Sequence, residues 1–157
     1  MRTNLEYIIE DLKECFDGKP WYGDSVMKKL DGIDWRVVND KVYGEKTIAV
    51  LLQHMVNWRI FVLKKLEGDV AYDIIIDQLN DWTVTTVNNE QDWQALLNMI
   101  RNNHEKILKH LVKCDDDLLN ETVPGKKYKF GPILKSLHQH DIYHLGQIAM
   151  LNSMAKS

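Results

Sequence analysis

The chain has 157 residues, 45% of them hydrophobic and 27% charged, and carries a formal net charge of −3 at pH 7. That length and balance describe one globular domain, residues 1–157, and exclude disordered and fibrous chains. The mild acidity argues against a nucleic-acid partner, and no stretch of about eighteen apolar residues offers a membrane span.

Thr3 and Glu6 have the spacing of a capping box, and Leu5, Ile8, Ile9, Leu12 and Phe16 continue at helical period until Gly18 and Pro20. This predicts a first helix. The stretch from "PWYGDS" to "NDKVYGEK" is rich in turn residues and holds two short helical candidates, "SVMKKL" and "DWRVVN". Thr47 is a suitable N-cap for a helix of about twenty residues with Ile48, Leu51, Leu52, Met55, Val62 and Leu66 on its apolar side, closed by Gly68. The following "DIIIDQLNDWTVTTVNNE" is β-branched enough for a brief extended segment, although no set of alternating runs could build a sheet.

A third long helix is expected from Asn89 or Glu90, carrying Trp93, Leu96, Leu97, Ile100, Ile107 and Leu111, and ending before Asp115, Asp116 and Asp117, which read as a solvated helix end. The basic run "GKKYKF" reads as a solvated loop. A fourth long helix is expected from Pro132 through Leu137, Leu145, Ile148 and Leu151. Four long helices without strands predict an all-α four-helix bundle with long connections.

Cys15 and Cys114 lie far apart, form no metal-binding or redox spacing and have no adjacent base. With no apolar leader at the start, a reducing cytoplasm is the expected location. Phosphate-loop, dinucleotide and serine-elbow signatures are missing.

The chemistry concentrates in the histidines. His140 and His144 stand one helical turn apart in "HDIYHLGQI", on the stripe that Leu137, Ile148 and Leu151 direct at the core. Two buried imidazoles need partners for four ring nitrogens within a few ångströms, a demand that a metal ion meets directly. His54 lies in the middle of the second long helix among Val50, Leu51, Trp58 and Phe61. Alone it would be structural; with the pair it completes a three-histidine set of the kind catalytic zinc sites use.

These residues carry a resemblance. "LLQHMVNWRIFVLKKLEGD" around His54, "HDIYHLGQI" from His140 and the segment "PWYGDSVMKKLDGIDW" resemble the DinB/YfiT-like superfamily of small bacterial four-helix metalloproteins, over nearly the whole chain. The resemblance implies a metal site at His54, His140 and His144, holding zinc, nickel or another divalent ion. It also implies transfer or isomerisation chemistry with a low-molecular-weight thiol, or hydrolysis, and a homodimer.

The neighbours have two readings each. Gln147 either reaches a ligand imidazole or bound water, or packs between helices; Asp141 belongs to a solvated face or orients an imidazole. Asn57 lines the pocket or packs, and Trp58, Phe61, Trp21 and Tyr22 form its apolar wall or the core. Gly146 permits close approach of a helix or ligand. His138 falls on the exposed face, and His104 and His110 have no assigned role unless His104 turns inward. The expected function is a metal-dependent thiol transferase or hydrolase acting on a small molecule. The alternatives are a non-catalytic bundle stabilised by metal or by a histidine hydrogen-bond network, with a stress-related or binding role, and an interaction module using the "PWYGDS" surface.

Overall fold

The computed structural model describes residues 1–156 and is all-helical, with no strand among them. Helix α1 (Asn4–Asp17) opens on the expected capping box: the Glu6 N–H donates to Thr3 Oγ1 at 3.2 Å and the Thr3 N–H to Glu6 Oε2 at 2.7 Å. Such a cap contributes about 1 kcal/mol. Asp116 reinforces it from across the chain, accepting from the Asn4 and Leu5 N–H groups. The acidic run is therefore not merely a solvated helix end. Asp115 caps a 3₁₀ turn, Asp116–Asn120, and Asp116 places its negative charge at the positive end of α1.

Both short candidates of the connection are helical. Ser25 caps α2 (Val26–Asp31), and Asp34 caps a 3₁₀ turn at Trp35–Val37. Thr47 caps α3 (Ile48–Leu66), which stops where Gly68 takes φ +87°, a left-handed value that only glycine adopts cheaply. Asn89 caps α4 (Glu90–Leu111). Residues 67–89 form turns and irregular chain, and the extended segment expected there does not form; backbone turns such as Asp81 N–H to Gln78 O alternate with side-chain bonds, Asn80 joining Asp73 O and the Ile75 N–H.

The last helix, α5 (Phe130–Lys156), begins two residues before Pro132. Phe130 is buried and its N–H donates to Glu121 O, which fixes the start. Pro132 then sits in the first turn, where a missing N–H costs no helical hydrogen bond. Phe130 thus leaves the basic run for the core, and Lys126 of that run pairs with Asp73.

Helix α3 packs on α4 and α5, and α1 packs on α4, α5 and α2. The apolar stripes meet in two clusters. One gathers Phe16, Leu52, Met55, Trp93, Ile100 and Ile148; the other gathers Leu12, Phe61, Leu66, Ile107, Leu134 and Leu137. Along α3, α4 and α5 the passage between clusters falls near mid-length, and the residues there are polar: Asn57 and Arg59, His104, and His140, Asp141 and His144. The sequence thus folds a polar layer into the middle of an apolar stack.

Candidate metal centre

His140 and His144 follow one another by a turn on α5, and His54 reaches them from α3. His140 Nε2 lies 3.1 Å from His54 Nε2 and 3.1 Å from His144 Nε2. One nitrogen from each ring lies within 4.8 Å of the other two. His54 and His144 are buried and His140 is partly so.

The outer nitrogens decide the protonation. His54 Nδ1 faces two acceptors, the Asp81 carbonyl at 3.0 Å and Asp81 Oδ1 at 2.9 Å. His144 Nδ1 faces Gln147 Oε1 at 2.6 Å. Both Nδ1 atoms must donate, so in the neutral rings both Nε2 atoms present lone pairs. His140 Nε2 lies between them, and a single proton there could satisfy only one. Three imidazole nitrogens directed at one point, two of them necessarily lone pairs, fit a cation. Their 3.1 Å spacing is close to the donor separation of about 3.3 Å that tetrahedral zinc with bonds of ~2.0–2.1 Å requires.

Electrostatics keep the rings in the form a metal needs. Burial lowers the pKa of all three; for His140, burial and the adjoining His144, His54 and Arg59 bring it to about 3. Burial outweighs the opposing pull of Asp81 on His54 and of Gln147 on His144. Neutral imidazoles bind a metal without first losing a proton.

The loop between α3 and α4 completes the surroundings. Trp82 stacks on His54 with centroids 3.8 Å apart and planes 3° from parallel, and Lys46 Nζ is 3.7 Å from the same indole. Asp81 is buried and also accepts from Trp58 Nε1 at 2.9 Å. A cavity of about 410 Å³ opens beside His54 and His140, walled by Trp58, Phe61, Trp82, Tyr128 and Leu137.

Several sequence expectations need correction. Asp141 is on no solvated face and touches no ligand imidazole: it is 1% exposed and binds Arg59 bidentately, at 2.7 and 2.5 Å. Asn57 does not line the cavity but holds the loop, donating to Asp81 O and Thr83 Oγ1. Trp58 and Phe61 wall the cavity, whereas Trp21 is fully exposed and Tyr22 points its hydroxyl at Cys15 Sγ. Gly146 is exposed, and a Cβ there would meet nothing within 4 Å, so no close approach requires it. His138 is half-buried rather than exposed. His104 does turn inward, yet stacks on Phe16 at 3.7 Å and takes no part in the triad. Gln147 does reach one of the three imidazoles, that of His144.

Sequence reasoning missed Asp81, Trp82 and Arg59. The first two sit in a loop without periodicity and carried no signal. Arg59 had one: it is the sole charged residue between Ile48 and Leu63, and an arginine inside an apolar run demands a buried acid. Among the described residues no helix is long and apolar enough to cross a membrane. Comparisons with family models, with curated proteins and with solved structures find no match to this chain.

Proposed function

We propose that the chain is a DinB/YfiT-like four-helix-bundle metalloenzyme that binds one divalent cation, zinc or nickel, through His54, His140 and His144 and acts on a small molecule held in the adjoining cavity. The convergence of the three Nε2 atoms, two of them fixed as lone pairs by Asp81 and Gln147, carries this reading. A divalent ion held by neutral imidazoles keeps its full charge and lowers the pKa of a bound water or thiol.

The chain's own residues supply the rest. Asp81 orients the His54 ring and holds its Nδ1 proton, Gln147 does the same for His144, and Trp82 and Trp58 pack on the face and edge of the buried His54 ring. Of the two candidate chemistries, hydrolysis fits the cavity better than transfer of a low-molecular-weight thiol bearing carboxylates, because no Lys or Arg lines it. A purely structural metal site would be enclosed; this one borders open space.

Elemental mass spectrometry on untagged protein tests the reading. Close to one equivalent of metal is expected in the natural chain, and none in His140→Ala or His144→Ala at unchanged helix content. A metal-reconstituted protein that stays empty would leave the histidines as a hydrogen-bonded structural cluster and end the enzyme reading.

A further inference from the structure

The cavity beside the histidines has a chemical character of its own. Eight of its lining residues are apolar or aromatic, among them Trp58, Phe61, Ile76, Trp82 and Tyr128. Its charged lining consists of two carboxylates, Asp77 and Asp81. Asp81 is spent: its oxygens take His54 Nδ1, Trp58 Nε1 and the Asp77 N–H. Ser136 is spent as well, its hydroxyl turned back to Pro132 O and Ile133 O.

Asp77 is not. It is exposed, and among the described residues nothing hydrogen-bonds to its carboxylate. It holds φ +64°, the single non-glycine residue of positive φ among those described, pinned by its N–H to Asp81 Oδ2 at 2.9 Å. The Asp77 backbone is thus pinned at the lining by the same residue that orients His54. The nearby cations stand against the walls and line none of the cavity: Lys126 pairs with Asp73 and lies 5.7 Å from the Phe61 ring, and Lys46 is occupied by the Trp82 indole.

We infer that this cavity selects a small molecule with an aryl or alkyl body and a protonated amine, the body seated among Trp58, Phe61 and Tyr128 and the ammonium on Asp77. Apolar walls bury the body, aromatic faces tolerate a cation, and the only unpaired charge on the lining itself is negative. Multiply anionic molecules meet no compensating group. This rests on the site reading above for what happens to the amine-bearing molecule, but its recognition depends on the cavity alone.

Calorimetric titration with phenethylamine, phenethyl alcohol and phenylacetate separates the two. The protein is used as purified and after chelator stripping, beside Asp77→Asn, a residue that also accepts a positive φ. Phenethylamine is expected to bind about two- to fivefold more tightly than phenethyl alcohol, the difference an exposed ion pair gives, with phenylacetate weakest in stripped protein. Asp77→Asn should erase the amine's advantage and leave the alcohol unchanged. Phenylacetate binding as tightly as the amine after stripping, an amine preference that survives Asp77→Asn, or no binding of any of the three overturns the inference. An amine preference in protein that stays empty after metal reconstitution would leave this inference standing while the metal reading fails.

Discussion

The polar layer in the middle of the helices contains two clusters, and their contrast shows what makes buried polarity functional. In one, Arg59 and Asp141 satisfy each other in a bidentate pair, with His104 and the guanidinium both against Phe16. In the other, His54, His140 and His144 satisfy outward partners at two Nδ1 atoms and leave lone pairs facing inward. The first cluster is closed in charge, its ion pair cancelling within it, although Arg59 Nε and both His104 nitrogens are buried without partners. The second is incomplete and borders a cavity. Burial is similar; the direction of the unpaired electrons differs.

The largest effect should come from opening the closed cluster. Asp141→Ala strands a guanidinium that is 0% exposed, a situation that costs about 3–5 kcal/mol. Urea denaturation should show that loss, while Arg59→Met combined with Asp141→Leu should recover most of it. If the double variant is as unstable as the single one, the pair does more than neutralise itself, and the contrast with the histidines weakens. The pair also ties α3 to α5, the helices that carry the triad, so metal content in the double variant reads whether that tie sets the histidine spacing.

A weaker effect is expected from loosening the open cluster's support. Asp81→Asn keeps the backbone carbonyl beside His54 Nδ1 but removes the charge and disturbs the Trp58 hydrogen bond. Metal affinity should fall about ten- to a hundredfold, with little change in urea stability of the stripped protein. Unchanged affinity would mean that the carbonyl and the Trp82 stack alone hold the ring.

How much of this was legible depended on whether a residue sits in a periodic element. The triad could be read because His54 and the His140–His144 pair lie on helices whose apolar residues mark the inward face. Asp141 was legible by position and misread by type: it lies seven residues after Leu134 and four before Leu145, on the buried stripe, and position won because Arg59 was there to pair with it. Asp81, Trp82 and Asp77 depend on how a loop without repeat folds back over α3, which side-chain hydrogen bonds decide. The all-helical fold followed from stripes and caps; the shift in the start of α5 came from Phe130, whose burial outweighs the preference for proline at the first helical position.

The smallest effect concerns His104, which stands at the α4 side of the closed cluster but makes no hydrogen bond in it. Both its ring nitrogens are buried without partners, and burial, with Arg59 nearby, takes its pKa from the ordinary 6.5 down to about 2. The folded state therefore holds it neutral while the unfolded chain takes up a proton below pH 6.5. A group with a depressed folded pKa costs nothing above its unfolded value, and its penalty grows as pH falls below it. One pH unit down, that penalty is about 1.4 kcal/mol. His104→Leu should match or exceed the natural chain in stability at neutral pH, because two orphaned nitrogens are removed. The difference in its favour should widen by about that amount one pH unit below 6.5. Parallel stability curves would mean that His104 finds a partner, and that the closed cluster is not closed at its α4 side.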